Sequence, residues 1–334
     1  MDEIRVSIST VTPVYRGARY LENLVKKLER IKFEWENNTS ILNLQECIFV
    51  IDECVDNSLE VLQNLKEKNR DWIRIIELSR NFGQHPSTSA GILHTSSDWV
   101  FTLDEDCQHD PKFMINFLRE VVPISADICY AKDKKGVHGS IIRDKLARFF
   151  KAGISLISGN ANIKLFNSYR LIRGDIARAA AATCRRETYF DIALTWYTDR
   201  MVCTQIEMFD LRNHGKSKSG YSIWGLILHS KRLVLSSKLQ FLRIGFLLGV
   251  FSFVLSCLLA LIYLSTYYFS YGSFNEVRGW LSLFTVNLFF GGIMSLMLSL
   301  LLEGIFQVIG SLNGKPTFFI IDRSKDQKLL QILE

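Results

Sequence analysis

The chain has 334 residues, with 40 Lys+Arg against 34 Asp+Glu and a formal net charge of +6. Hydrophobic residues at 48%, charged residues at 22% and aromatics at 12% exclude a disordered chain, and five prolines with 20 glycines exclude a collagenous or low-complexity one. Seven scattered cysteines without a C-x-x-C pair exclude a zinc ribbon or a disulfide scaffold and fit free thiols in a reducing compartment.

Met1-Asp2-Glu3-Ile4-Arg5 leads into a strand-like run with no signal-peptide pattern, so the first part of the chain is expected to stay in the cytoplasm. Residues 6–12 are β-branched and apolar, end at Pro13 and predict a first strand; 19–31 predict a helix. Residues 46–51 predict a second strand ending at Asp52-Glu53, and 73–78 a third ending at Ser79-Arg80-Asn81-Phe82-Gly83. A helix over 86–94 follows, with Pro86 in its first turn, and 99–103 predict a fourth strand that ends at Asp104-Glu105-Asp106. Strand and helix in alternation predict a mostly parallel sheet covered by helices on both faces. No G-x-G-x-x-G follows the first strand and no G-x-x-x-x-G-K-[ST] occurs, which argues against dinucleotide binding and a P-loop.

The polar residues fall at one edge. Pro13/Tyr15, Asp52/Glu53, Arg80/Asn81 and Asp104/Asp106 all sit at the carboxyl ends of successive strands, where open α/β sheets bind ligands. Two carboxylates one residue apart can reach one hard divalent cation, Mg²⁺ or Mn²⁺, which takes its remaining oxygens from a diphosphate. Taken alone, D-x-D also occurs in ordinary acidic turns, and a simple polar turn is the lesser alternative for Asp52-Glu53.

The last third of the chain is different. Residues 244–268 and 280–302 carry no charge, and each run exceeds the ~20 residues that cross a bilayer as a helix. They predict a transmembrane hairpin joined by a short external loop, 269–279. Seven basic residues and no acid lie between Leu211 and Arg243, so the head (1–221) and the tail (303–334) are expected on the cytoplasmic side. Residues 222–243 predict an interfacial amphipathic helix with Trp224 and Leu228 toward lipid, and Lys231 and Arg232 toward phosphate.

The order P-x-Y, Asp-Glu, S-R-N-F-G, D-x-D-x-Q-x-D-P, then R-x-x-G-K-S-K ahead of two apolar helices resembles the polyprenyl-phosphate glycosyltransferases of glycosyltransferase family 2. These include the dolichyl-phosphate mannose synthases and bactoprenol glucosyltransferases. The resemblance extends to Gly314-Lys315-Pro316-Thr317-Phe318-Phe319-Ile320 beyond the hairpin. It implies an α/β fold of the GT-A type with a nucleotide-sugar-binding domain, followed by the interfacial helix and hairpin. Its activity would be inverting, metal-dependent transfer of one sugar from a nucleotide-sugar, UDP ahead of GDP, to undecaprenyl or another polyprenyl phosphate at the cytoplasmic membrane face.

Carried over position by position, the resemblance gives Pro13, Tyr15 and Asp52 to the base and ribose, with Asn81 and Gly83 beside them. Asp104, Asp106 and Gln108 would bind Mg²⁺ or Mn²⁺. Lys132 and Arg143 would meet the acceptor phosphate, Ser168-Tyr169-Arg170-Leu171 would lie near the sugar, and Arg212, Lys216, Ser217 and Lys218 would close over the donor diphosphate. Relatives read Y-N-E where this chain has Tyr15-Arg16-Gly17, and D-D-G-S where it has Asp52-Glu53-Cys54-Val55. Gln84-His85 replaces a Lys or Glu pair.

A lipid monophosphate, with a second pKa near ~6, arrives largely ionised and needs no dedicated general base. Asp191 is the nearest candidate for one, and reads better as a solvated carboxylate at a helix start. A second copy, packed through Gly291-Gly292, and a downstream flippase are further candidate partners; no nucleic acid is expected. The alternatives are a membrane-anchored nucleotide-sugar-binding subunit and a family 2 transferase with another acceptor.

Overall fold

The computed structural model describes residues 5–37, 41–68, 71–133, 161–184, 188–206, 241–269, 278–312 and 325–333. Strands β1 (Val6–Val14), β2 (Leu42–Ile51), β3 (Ile73–Glu77), β4 (Trp99–Thr102), β5 (Ile128–Asp133), β6 (Arg170–Arg173) and β7 (Met201–Ile206) form one sheet in the order β3-β2-β1-β4-β6-β5-β7. Neighbours run parallel except at β6, which is antiparallel to both β4 and β5. The four expected strands are present. β2 opens earlier than expected, at Leu42, because Leu42, Asn43 and Leu44 pair with Val6, Ser7 and Ile8 before the ladder shifts register at Ser9↔Glu46 and leaves Gln45 bulged. Buried Glu46, which interrupts the apolar pattern, accepts from Ser9 Oγ (3.0 Å) and Arg74 Nη1 (2.7 Å).

Side chains alternate across the sheet with period two. Cys47, Phe49 and Ile51 face a layer built by α1 (Ala18–Asn37), α2 (Ser58–Glu67) and α4 (Met114–Val121). Ile48 and Val50 face the opposite layer of α3 (Gln84–Leu93), α5 (Gly174–Thr183) and α6 (Phe190–Leu194). Burial on both faces explains the near-continuous apolar runs in the sequence. In α1, Leu21, Leu24, Val25, Leu28 and Ile31 form one buried stripe, each contributing roughly 1.5–3 kcal/mol when fully withdrawn from water. Pro13 is tolerated in the central β1 because the β4 ladder ends at Val11↔Thr102, so its missing N–H breaks no bond there.

Helices α7 (Phe241–Phe269) and α8 (Arg278–Leu312) form a second compact unit. Both are long and apolar enough to cross a membrane, over Gly245–Ile262 and Ser282–Ile305. Their seam is made by small residues: a Cβ on Gly292 would stand 2.9 Å from the Phe253 nitrogen, and Ser295 Oγ donates to the Gly245 carbonyl at 3.1 Å. Gly291, next to it, has nothing within 4 Å. Leu247, Phe251, Met294 and Leu301 are exposed on the outer faces. Residues 241–243 belong to α7, and α8 continues past Leu302, where the second span was expected to end.

The short tail helix α9 (Asp326–Leu333) belongs to the first unit, with Leu329 in the same apolar layer as α1 and α4. Arg143, Arg212, Lys216, Ser217 and Lys218 lie outside the described residues, as do most of the expected interfacial helix (222–240), the loop at 270–277 and the segment 314–320.

Candidate active site

The carboxyl ends of β1, β2, β3, β4 and β5 and the entry to antiparallel β6 share one edge of the sheet. Asp104, Glu105 and Asp106 follow β4 there. Asp104 uses both carboxylate oxygens: Oδ1 accepts from Gln84 Nε2 at 2.7 Å and Oδ2 from Ser168 Oγ at 2.9 Å. Its backbone N–H donates to His109 Nδ1 at 3.1 Å, so that nitrogen carries a lone pair rather than a proton. Burial pulls the His109 pKa below its usual value, and the neutral ring stacks on Tyr169 at 4.4 Å. Asp106 is buried and accepts from the Gln108 backbone N–H at 3.0 Å.

Glu105, between them, turns toward β1. Its carboxylate accepts from the backbone N–H of Tyr15 (2.8 Å) and of Arg16 (3.1 Å), which ties the loop after β4 to the loop after β1. Burial pushes the Glu105 carboxyl up, and those two N–H groups oppose the shift. The departure at Tyr15-Arg16-Gly17 has its reason here. A Cβ on residue 17 would stand 2.7 Å from Glu105 Oε2, so the position facing this carboxylate is glycine. The departure at Cys54-Val55 leads into Asp56 and Ser58, which accept from the backbone N–H groups of Ala18 (3.2 Å) and Gly17 (3.0 Å) at the start of α1.

Asp52 and Glu53 hold the loop after β3. Asp52 accepts from the N–H groups of Phe82 (2.7 Å) and Gly83 (2.8 Å), one on each oxygen, and Glu53 accepts from that of Asn81 (2.9 Å). The two acidic residues are thus more than a polar turn; they brace the S-R-N-F-G segment. Arg80 lies over the exposed Phe82 ring at 4.4 Å, and Arg16 over the Tyr15 ring at 5.4 Å. Lys132 is exposed near the end of β5, paired with Gln205 in the ladder.

The described residues therefore place Asp104, Asp106 and Gln108 in one loop after β4, link Tyr15 to that loop through Glu105, and place Pro13, Asp52, Asn81 and Lys132 at the same edge. Gln84 and Ser168 touch Asp104 directly; Ser168 was expected near the sugar, and neither was expected beside the metal-binding carboxylate. The signal was present as the Gln84-His85 departure and the Ser168-Tyr169-Arg170 motif. Asp191 corrects an expectation. It is fully buried rather than solvated, ion-paired with Arg170 and accepting from Tyr130 Oη at 2.8 Å. Burial pushes the Tyr130 hydroxyl well above its usual pKa, so it stays a donor.

The donor set fits a hard cation. Asp104 and Asp106 supply carboxylate oxygens, and the partners of Asp104 named above are an amide, a hydroxyl and a neutral imidazole, none of which neutralises it. Among the described residues no three His, Cys, Asp or Glu side chains converge, so the remaining oxygens would come from Gln108, substrate or water.

Residues 9–156, which run from within β1 through β5 and include the D-x-D loop, match glycosyl transferase family 2. The segment that carries the candidate site is thus the one that resembles the family 2 glycosyltransferases. Over 94% of its length the chain is 26% identical to the undecaprenyl-phosphate 4-deoxy-4-formamido-L-arabinose transferase of Edwardsiella ictaluri, covering 93% of that protein. It is 25% identical to an uncharacterized glycosyltransferase of Synechocystis, over 95% of each chain. Among solved structures it is distantly similar to Staphylococcus aureus TarS 1-349, at 13% identity and a TM-score of 0.43 over 60% of this chain and 58% of that one. The glycosyltransferase has the mixed α/β GT-A fold, with β6 and β7 completing the sheet beyond the matched segment.

Proposed function

We propose that this glycosyltransferase moves one sugar, with inversion, from a nucleotide-sugar to a polyprenyl phosphate such as undecaprenyl phosphate, and that UDP rather than GDP is the donor nucleotide. The observation that carries the reading is the D-x-D pair at the ligand-binding edge. It lies in a chain that aligns nearly end to end with an undecaprenyl-phosphate transferase, past the domain and through both apolar helices. The sugar named for that relative belongs to that relative, and only places 4-deoxy-4-formamido-L-arabinose among the donors worth trying.

The chemistry asked of the protein is electrostatic. A lipid phosphate with its second pKa near ~6 is already a nucleophile at neutral pH, so the difficulty is bringing two anionic phosphates together. Asp104, Asp106 and Gln108 would hold Mg²⁺ or Mn²⁺, which supplies charge neutralisation for the departing nucleoside diphosphate. Lys132 and Arg143 would face the acceptor phosphate; Arg212, Lys216, Ser217 and Lys218 would cover the donor diphosphate. Pro13, Tyr15, Asp52 and Asn81 would line the nucleotide side. Asp191 does not serve as a base in this reading, since its carboxylate is committed to Arg170 and Tyr130.

The enzyme would span the cytoplasmic membrane twice, with a head of residues 1–221, an interfacial helix of 222–243 and a tail of 303–334 inside. Docking of the tail on the head supports a same-side arrangement of the two. The basic flank supports the cytoplasmic side. The test is purified full-length protein in detergent with undecaprenyl phosphate, Mn²⁺ and a panel of nucleotide-sugars, read by mass spectrometry. A product of one sugar on lipid phosphate, lost with EDTA or Asp106→Asn, is expected; no product from any donor would overturn the reading.

A further inference from the structure

Asp104 is held from three directions by groups whose own positions are fixed. Gln84 is the first residue of α3, and the backbone around it is pinned: Phe82 and Gly83 N–H to Asp52, Ser87 Oγ to the Gly83 carbonyl (2.8 Å), and Thr88 Oγ1 to the Gln84 carbonyl (2.8 Å). Its amide N–H then reaches Asp104 Oδ1. Ser168 is fixed by its carbonyl, which accepts from Thr102 Oγ1 at 2.6 Å at the end of β4, and its hydroxyl reaches Asp104 Oδ2. His109 takes the Asp104 backbone N–H.

We infer that Gln84 and Ser168 are positioning residues that set the orientation of the Asp104 carboxylate for the divalent cation, and so set the affinity of the site for it. The inference rests on the metal-dependent reading above. An arginine or lysine in either place would also orient Asp104, but it would cancel the charge the cation needs. An amide and a hydroxyl orient the carboxylate and leave its charge, with lone pairs remaining on both oxygens. Each donates to a different oxygen, which stops rotation about the Cβ–Cγ bond. Because Gln84 is carried on the loop braced by Asp52, the carboxylate after β2 is mechanically linked to Asp104 through three residues of backbone, Phe82, Gly83 and Gln84. Orientation by groups behind the metal ligands typically changes affinity by about 10–100-fold.

The experiment is a titration of Mn²⁺ into full-length protein in detergent, with UDP and with GDP in parallel, following the free ion by electron paramagnetic resonance. Gln84→Leu and Ser168→Ala should each weaken Mn²⁺ binding about tenfold, while Ser168→Thr, which keeps the hydroxyl, should bind as wild type. Melting temperatures without metal should match the wild type, which separates lost orientation from lost folding. Saturating Mn²⁺ should restore the turnover of both weakened variants. If wild type binds Mn²⁺ and either Gln84→Leu or Ser168→Ala binds it equally well, the clamp is wrong and the metal reading stands. If wild type binds no Mn²⁺ with either nucleotide, both fall.

Discussion

Arg173 and Asp326, 153 positions apart, share a two-pronged ion pair at 2.7 and 3.0 Å, with both residues buried. Arg173 ends β6 and also reaches Asp127 at 3.2 Å, with its guanidinium over the Trp99 ring. One residue before Asp326, Lys325 binds Asp98 at 2.8 Å, and Asp98 accepts from the N–H and hydroxyl of Ser7. These contacts lie at the amino edge of β1 and β4, opposite the candidate active site. The end of the chain is therefore part of the catalytic unit, although both apolar helices intervene.

A tail that pairs with the head lies on the same side of a membrane as the head, so in the two-span reading proposed above the chain between Ile206 and Lys325 would cross an even number of times. A reporter fused at the C-terminus that fluoresces only in the cytoplasm should be bright, and an alkaline phosphatase fusion that works only outside should be inactive. A C-terminus outside with the head inside would be incompatible with the Arg173–Asp326 pair. Asp326→Ala should lower stability by about 1–3 kcal/mol, less than for an isolated buried arginine because Asp127 remains. Thermal unfolding of the full chain in detergent measures it.

Asp191 offers a sharper test of whether the reaction uses a base. Burial works against the charge of Arg170, but Asp191 and Tyr130 more than restore it, so the guanidinium stays protonated against the carboxylate. Asp191→Asn leaves Arg170 buried without its counter-charge and should cost about 3–5 kcal/mol of stability. The folded fraction should still transfer sugar, with kcat/KM rising through the second ionisation of the lipid phosphate near pH ~6 and no separate carboxylate limb. A variant that melts like wild type yet has no activity at any pH would make Asp191 the base and remove the phosphate-only mechanism.

The parts of the fold legible in sequence were those governed by local pattern. Strands β1 to β4 announce themselves as β-branched runs closed by polar residues, and α1 by its apolar stripe. β5, β6 and β7 are not legible in that way. Arg170 and Arg173 put charge into a four-residue strand, and their distant partners Asp191, Asp127 and Asp326 offset the cost of burying it. Asp191 looked solvated because a carboxylate in a helix's first turn usually is; its arginine lies 21 positions away. The position of Asp104 and Asp106 just past β4 was legible from the pattern, whereas Gln84 and Ser168 reach Asp104 across 20 and 64 positions. Spacing carries no trace of such contacts. Glu105 was passed over as the variable residue of D-x-D, although it is the one that locks two loops together.

Gly291 and Gly292 separate two uses of small residues in a membrane helix. The pair was expected to serve packing against a second copy, but Gly292 is occupied within the hairpin. A Cβ there would meet the Phe253 nitrogen at 2.9 Å and the Gly249 carbonyl at 3.1 Å, both backbone atoms that can yield only if the helices part. Gly291 meets nothing within 4 Å. Gly292→Val should therefore force α7 from α8 and lose roughly 1–3 kcal/mol of packing, lowering the yield of monodisperse protein and its melting temperature in detergent. Gly291→Val should leave both unchanged. If instead Gly291→Val converts a dimer to a monomer on size-exclusion chromatography with light scattering, the outward glycine is the contact between copies. Equal loss in the two variants would mean that the seam between α7 and α8 is not set by Gly292.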